Sequence, residues 1–576
     1  MNYERLVAER REKWTGPPTF WRSAPESLLQ QGMRSIGSKV SALVSGSVPL
    51  VSTVRTVHLD PSIAIDSEAY ASIEQAVQAT GARIIEKHSN AIQDILVVDA
   101  PVDAIASISD VAGVRSVAPR GKARPATVQA KSRGGDSLVF TGSDACTLSE
   151  AARGATKLDT LPFEVKSVLN DGTGTLVVVW DFAPDLDVTK WGDELVERPG
   201  GKAVQYNLTS AAPRGWHGSS VMSVCCGANA GPAKGASLAM VALGETVSSD
   251  LTVISNLLDR WKGPAVVNMS FTVQYPVTND ADRTSIRAEM NRFDTFVRAM
   301  KAKNPRLVFV VAAGNESRDL CDVADVPGDN GTREIQWPQQ RFGATTSPYV
   351  FVGATIATAN AGTVTHSLAG YSNYGRCVGA LAPGGWTCAY RALLASDNEA
   401  PFQVTQGTSF AAPATSGLLA LVLAVRPDAS GEDATKALLV GSRTVSGVPA
   451  GTSNTLVSLP MDAVPPPSGG GITTAPSAEV LPDPSFLAPV AKLPPPPSMP
   501  LSSSEASSYA PWIIAVVVLV LCMLAAFNGK VMFLVMAVVV AVIALVVIYW
   551  LTTSSVNPSS PPSSPPPLAG VPRPAQ

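Results

Sequence analysis

Five apolar runs punctuate the middle of the chain: GTLVVVWD (174–181), ASLAMVAL (236–243), PAVVNMSF (264–271), RLVFVVAAGN (306–315) and YVFVGAT (349–355). A strand with one wet face alternates polar and apolar residues; these runs do not alternate, so both faces of each must be covered. Between them lie LTVISNLLDRW and IRAEMNRFDTFVRAM, whose apolar residues recur at three and four, the helical spacing. Doubly buried strands separated by amphipathic helices require an α/β fold with a doubly wound, mostly parallel sheet, here over residues 151–462. Polar residues at the carboxyl ends of such strands gather at one crevice, where a site is to be sought.

The flanking regions read differently. Residues 1–47 show no sustained period and are read as a disordered N-terminal segment. Residues 48–121 alternate as strand, helix, strand, strand, helix, strand, from STVRTVHL through YASIEQAVQAT, ARIIEKH, DILVVDAP and VDAIASISDV to GVRSVAP, the pattern of a small ferredoxin-like α/β domain. Residues 122–150 are a linker. Residues 463–510 and 552–576 are rich in proline, which favours extended conformations and cannot bury a core, so they serve as spacer and tail.

Between them, residues 511–551 carry a single charge, Lys530, and FNGK divides apolar stretches of 16 and 21 residues. One helix of that total length would be ~60 Å, twice the hydrocarbon thickness, whereas two helices of ~24 and ~32 Å each roughly fit it. A transmembrane hairpin turning at Asn528 and Gly529 is the expectation, with the lipid bilayer as partner; one spanning helix plus a re-entrant segment is the alternative. Lys530 in the turn favours a cytoplasmic turn and an outward or lumenal side for the folded domain. The N-terminus, MNYERLVAERREKWTGPPTFWR, lacks the apolar core of ~7 to 15 residues of a secretory signal, which favours the reverse, so the side stays open.

A net charge of -3 and 16% charged residues give none of the basic surface that nucleic-acid binders need. Seven cysteines form no CxxC pair, so no metal site is read and no cofactor is expected to be required. Cys225 and Cys226 lie in an apolar run as buried thiols, and Cys377 and Cys388 are candidates for pairing in an oxidising compartment.

Strand ends supply the chemistry. Asp181 ends LVVVW, Asn315 ends VFVVAAG and Ser270 follows VVNM. Of four histidines, His58 and His88 fall in the small domain and His366 in a loop, leaving His217 in RGWHGSSVMSVCCGA where a turn enters an apolar helix. In QVTQGTSFAAPATS a Gly-Thr-Ser turn precedes another apolar helix, and Pro413 is read as a first-turn residue with no helical hydrogen bond to lose. Acyl transfer needs a hydroxyl nucleophile, an imidazole, a carboxylate and an oxyanion donor; Ser409, His217, Asp181 and Asn315 supply one of each.

The motifs GTSFAAP, HGSSV, VVNMS, VVAAGN and VGATIATANAGTVTHSLAGYSNYGRCVGALAPG resemble, in order and spacing, the subtilisin-like serine proteases (subtilases, peptidase S8) over roughly residues 150–460. The resemblance implies a serine endopeptidase acting on protein or peptide substrates. Ser409 is then the nucleophile, His217 the general base and acid, Asp181 its orienting carboxylate and Asn315 the oxyanion donor. Ser270, Phe271, Thr272 and Gly314 fall where substrate binds. The 48–121 domain resembles an inhibitor I9-like propeptide, an intramolecular inhibitor of a zymogen, with processing in 122–150. Structural calcium occurs in the family, but no ligand cluster supports it here.

Two departures stand out. The family has Ser or Thr and then Gly after the aspartate, where this chain has Phe182 and Ala183, leaving Asp185 and Asp187 as rivals. The substrate strand normally continues into glycines, where this chain has Phe271, Thr272 and Val273. They motivate the alternative of an inactive subtilase-fold binding or scaffold protein at a membrane. The related carboxyl-serine peptidases share a Gly-Thr-Ser turn but lack the HG helix start and place an acid where Asn315 stands.

Overall fold

The computed structural model describes residues 19–22, 52–64, 67–125, 170–183, 191–206, 216–244, 246–319, 321, 323, 325–328, 332–340, 347–360, 363–385, 387–390, 402–440 and 444–459. The expected hairpin at 511–551, both proline-rich segments, Asp185 and Asp187 lie outside the described residues.

The N-terminal domain comprises β1 (Thr19–Arg22), β2 (Ser52–Leu59), α1 (Glu68–Ala79), β3 (Arg83–Ser89), β4 (Asp94–Pro101), α2 (Ala104–Ser109) and β5 (Val114–Pro119). The expected βαββαβ order is present, as an antiparallel sheet in the order β1-β3-β4-β2-β5. Ser67 starts α1 by accepting the Tyr70 N–H at 3.1 Å, and Tyr70, Ile73 and Val77, spaced by three and four, bury one helix face against Val57, Leu96 and Val98. One feature departs from the reading of 1–47 as disordered: Thr19–Arg22 pairs with Glu86–Ser89. Backbone groups on the open edge of β3 accept any extended segment, a contact that four residues of sequence do not announce.

The central domain follows β6 (Lys122–Pro125). It contains β7 (Leu176–Asp181), α3 (Asp193–Val196), β8 (Val204–Tyr206), α4 (His217–Cys226), β9 (Ser237–Ala242), α5 (Val247–Arg260), β10 (Ala265–Met269), β11 (Phe271–Val277), α6 (Asp280–Lys303) and β12 (Leu307–Ala312). It continues through β13 (Val326–Pro327), β14 (Arg333–Trp337), β15 (Tyr349–Asn360), β16 (Thr363–Leu368), β17 (Val378–Pro383), β18 (Thr387–Tyr390), β19 (Phe402–Thr405), α7 (Thr408–Val425) and α8 (Gly431–Leu439).

The main sheet runs β16-β15-β12-β10-β7-β9-β8, with β17 also on β15, and every pairing is parallel except β15 with β16. His366, expected in a loop, lies in β16 opposite Ala357. Alternate residues of each strand enter two cores, as double winding requires. Val177, Val179 and Val310 pack with Leu418 and Leu419 of α7, whereas Val178, Trp180 and Phe309 pack with Ile254 of α5 and Phe293 of α6. Cys225 and Cys226 are fully buried in the first core with their sulfurs in contact. By length and composition α7 could cross a membrane, but it is the buried central helix of this core.

Pro413 is the sixth residue of α7, not a first-turn residue. Its missing N–H frees the carbonyl of Ser409, four residues earlier, which instead accepts the Ser270 hydroxyl at 2.9 Å. Cys377 pairs with Cys321 rather than with Cys388. A bridge between Asp319 and Tyr374 brings these two loops side by side, with Cα atoms of the cysteines 5.7 Å apart.

The N-terminal domain docks on α5 and α6 through polar contacts and through Ala91 and Ile92, which join the apolar core on the α5 side. Arg55 pairs with Asp282, Asn90 Nδ2 donates to Ser248 Oγ at 3.1 Å, the Ala91 N–H donates to Thr252 Oγ1 at 3.2 Å, and Arg292 reaches Ser116 Oγ at 3.2 Å. Buried His58 lies between Gln93 and Glu289, with its Nε2 3.2 Å from Glu289.

Burial, and then the neighbouring Arg292, hold the His58 imidazole below its ordinary 6.5 against the opposing pull of Glu289. Undocked, His58 takes a proton as pH falls below 6.5, while the docked form resists it. Docking strength is therefore full above that pH and falls as the solution is acidified. Hydrogen exchange across β2 and α6 between pH 7.5 and 5 should show progressive loss of protection, and His58→Gln should flatten the response.

Candidate active site

Asp181 is the last residue of β7 and His217 the first of α4, so the carboxyl end of the strand meets the amino end of the helix: Asp181 Oδ1 lies 2.6 Å from His217 Nδ1. Asp181 is fully buried and His217 is 4% exposed, so the pair is shielded from water. An ionised carboxylate can only accept, which puts the proton on Nδ1 and the lone pair on Nε2. Nε2 is buried and has no hydrogen-bond partner among the described residues. The departure after Asp181 has a structural account. The Phe182 N–H donates to Asp181 Oδ1 at 2.7 Å, its carbonyl accepts the Gly218 N–H at 3.2 Å, and its ring stands edge-on to the imidazole at 6.3 Å. Trp216 and Phe410 lie 6.0 Å from the same ring.

Ser409 is the second residue of α7, and the turn before it is held from several sides. The Gly407 N–H is shared between the Gly384 carbonyl (2.9 Å) and the Tyr371 hydroxyl (3.1 Å). Its φ of 148° lies in the region that glycine tolerates, which accounts for a glycine at this position. Partly buried Tyr371, its phenol pushed up by desolvation and held neutral, donates in turn to the Gly384 carbonyl at 2.8 Å. The Ser409 hydroxyl donates to the Ser270 carbonyl at 3.0 Å. The N–H of Ser409, in the first helical turn, has no carbonyl four residues back to bond.

Asn315 follows β12. Its Oδ1 accepts both the Thr408 N–H (2.9 Å) and the Thr408 hydroxyl (3.0 Å), so the side-chain amide can serve further partners only as a donor. The Thr408 hydroxyl accepts the Gly314 N–H at 3.0 Å, closing the link between the Asn315 loop and the serine turn. Asn373 braces the other side: Oδ1 accepts the N–H groups of Glu316 and Arg318, each at 3.1 Å, and Nδ2 donates to the Ala313 carbonyl at 3.0 Å.

Of the expected substrate residues, Ser270 and Gly314 contact the serine turn directly. Phe271 buries its ring against Trp180 with centroids 4.9 Å apart, so only its backbone faces the crevice. Thr272 lies in β11, which leaves the main sheet after Ser270 and pairs antiparallel with β14 and β6. Pro125 of β6 stands opposite Phe271 and Arg124 opposite Thr272. Thr408, Tyr371, Asn373 and Gln339 were not singled out in the sequence. Thr408 and Asn373 sit inside the quoted GTS and SNYG motifs, whereas nothing near Gln339 marks it. Among the described residues no cluster of three or more His, Cys, Asp or Glu could hold a metal ion.

Residues 182–457 match the family model Peptidase S8, the subtilase family. Asp181 stands immediately before the matched range. An extracellular serine proteinase of Thermus sp. (strain Rt41A) is 30% identical over 247 residues, 42% of this chain and 47% of that protein. A subtilisin-like serine protease of Rhodotorula mucilaginosa is 30% identical over 126 residues, 22% of this chain and 28% of that protein. The chain thus spans less than half the length of either relative. Among solved structures, an epidermin leader peptide processing serine protease from Staphylococcus aureus shares 16% identity at a TM-score of 0.46, covering 71% of this chain and 98% of that one.

Gly218 carries a sharp consequence. A Cβ there would lie 2.3 Å from the Phe182 carbonyl oxygen, a backbone atom that cannot rotate away. Gly218→Ala must push the start of α4, and His217 with it, off the Asp181 carboxylate. The rate of Ser409 labelling by a fluorophosphonate should fall on the order of 10²-fold, the scale of an ångström-sized misplacement, while the far-ultraviolet circular dichroism spectrum stays that of the parent.

Proposed function

We propose that the chain is a membrane-anchored serine endopeptidase that hydrolyses peptide bonds, synthesised with its N-terminal domain as an intramolecular inhibitor. The observation that carries this reading is the 2.6 Å contact of Asp181 with His217 Nδ1, which leaves Nε2 as a buried nitrogen without a partner. Rotation of the Ser409 side chain to another staggered position takes its hydroxyl from the Ser270 carbonyl towards Nε2. Nε2 removes the hydroxyl proton as Ser409 Oγ attacks the substrate carbonyl carbon. The oxyanion receives hydrogen bonds from the Asn315 amide and the Ser409 N–H. Collapse of the intermediate breaks the C–N bond, and His217 returns its proton to the leaving amine. Water then attacks the acyl-enzyme by the same route, regenerating Ser409. No step calls on a metal or cofactor.

Support for the inhibitor role comes from β6. It runs antiparallel to β11, so its chain heads towards Ser270 and Ser409 as it reaches Pro125. A peptide substrate would add to β11 as a strand in its place. Pro125, the last described residue of this segment, stands opposite Phe271 beside Ser270, which narrows the expected processing region of 122–150 to its beginning. Anchoring is supported by the apolar pattern of 511–551 alone. The Phe182 and Phe271 departures are absorbed by packing and hydrogen bonding around the dyad, and they lend no weight to the inactive alternative.

Expression of the wild type and Ser409→Ala in parallel tests the reading. The wild type should be labelled by a fluorophosphonate at Ser409 and yield a new N-terminus within about three residues of Pro125, some 10 Å of extended chain. Ser409→Ala should show neither. Unlabelled wild-type protein, or identical processing in the mutant, would refute autocatalysis. The same preparations should remain in the membrane pellet after carbonate extraction, and deletion of 511–551 should release them to the supernatant.

A further inference from the structure

The pairing of β10 with β12 ends at Met269 and Val311, and the two chains diverge as β11 departs for the second sheet. Gln339, two residues beyond the end of β14, occupies the gap. Its Nε2 donates to the Phe271 carbonyl at 2.9 Å and to the Ala312 carbonyl at 3.0 Å. Gln339 is 2% exposed, and Phe271 and Ala312 are fully buried. Both amide protons are thereby used. Its Oε1 remains as a buried acceptor with no partner among the described residues.

The position of this side chain relative to the site is what gives it meaning. Phe271 directly follows Ser270, whose carbonyl holds the Ser409 hydroxyl, and Ala312 precedes Asn315 by three residues. A scissile carbonyl attacked by Ser409, with its oxygen at Asn315, carries its own Cα one bond away. The nearest room for the side chain on that Cα is the gap between these two strand ends, and Gln339 fills it.

We propose that Gln339 determines specificity: it restricts the residue supplying the scissile carbonyl to small side chains and, among these, favours serine, whose hydroxyl can donate to Oε1. The inference rests on the peptidase reading above. A hydroxyl in place of a methyl group at a site with an unsatisfied acceptor gains a hydrogen bond, whereas a large apolar side chain would have to displace Gln339 and strand two buried carbonyls.

The test uses the full-length protein in detergent and peptides that differ only at the residue before the cleaved bond, with rates normalised to the active-site titre from fluorophosphonate labelling. Expected in the wild type is kcat/KM for serine above alanine by about fivefold, with leucine and phenylalanine about 10²-fold or more below alanine. Gln339→Ala should raise the rates for leucine and phenylalanine at least tenfold relative to alanine. Gln339→Met, which keeps the bulk and removes the acceptor, should keep the preference for small residues and abolish that for serine over alanine. A labelled wild type that cleaves after leucine or phenylalanine as readily as after alanine overturns the proposal and leaves the peptidase reading standing; so does a Gln339→Ala enzyme with an unchanged ranking. An unlabelled wild type that cleaves none of the peptides removes both. Should either variant fail to fold, the wild-type ranking decides alone.

Discussion

Ser270 and Ser409 exchange two hydrogen bonds, hydroxyl to carbonyl in each direction at 2.9 and 3.0 Å, and through them the end of β10 is fastened to the first turn of α7. The exchange depends on Pro413, because a residue with an N–H there would compete for the Ser409 carbonyl. Asn268 extends the link by donating to Ser270 Oγ at 2.9 Å and accepting from Ser416 Oγ at 3.1 Å, about two helical turns further along. All four residues are completely buried. A buried polar chain with every member satisfied is worth more than its separate bonds and admits only one register of helix on strand. Once α7 is fixed on β10, Thr408 meets Asn315 at the end of the neighbouring β12, and the serine turn faces the crevice into which β7 and α4 deliver Asp181 and His217.

The dyad shows how such a scaffold fixes a pair of side chains against each other. Asp181 receives two hydrogen bonds on one oxygen, from Phe182 and His217, in surroundings where water cannot compete. A carboxylate so placed holds the imidazole in one tautomer and one orientation, and stabilises the charge that appears on it when it takes a proton. Phe182, in place of the small residue of the related pattern, contributes an aromatic wall to the imidazole, while its backbone still makes the contacts to Asp181 and Gly218.

Much of this was legible in the sequence because burial leaves a periodic trace. The runs at 176–180, 265–267 and 307–312 are apolar throughout, since both faces are covered, and polar residues gather just beyond them: Asp181, then Asn268 and Ser270, then Asn315. Asp181, Asn315 and Ser270 were found by that rule, and His217 by elimination among four histidines. What escaped were contacts made in space between unrelated segments. Gln339 has no periodic neighbours and is recognisable only once β10 and β12 are seen to diverge around it. Cys321 is far from Cys377 along the chain, and the choice between Cys321 and Cys388 turns on a loop-to-loop bridge. Four residues, Thr19–Arg22, carry too little pattern to be read as a strand, yet the edge of β3 makes them one. Pro413 was placed correctly in a helix but at the wrong depth, because the start of a glycine-initiated helix carries no side-chain cap to mark it.

The central domain and its junction with the N-terminal domain are held by different balances of force, the junction adding only Ala91 and Ile92 to the apolar core and otherwise being polar. Inside the central domain, the elements that carry Asp181, His217, Asn315 and Ser409 are joined by two apolar cores and satisfied buried hydrogen bonds, which resist separation. The N-terminal domain has its own apolar core against α1, and meets α5 and α6 through Arg55, His58, Asn90 and the hydroxyls of Ser116, Ser248 and Thr252. An interface of ion pairs and hydrogen bonds specifies orientation closely, yet its partners can be resatisfied by water when the domains part, which an apolar interface cannot offer. Backbone pairing of β6 on β11 has the same property: a second extended peptide can replace it bond for bond. The domain is thus held in a defined register, and parting it from α5 would uncover Ala91 and Ile92 as well as the polar groups.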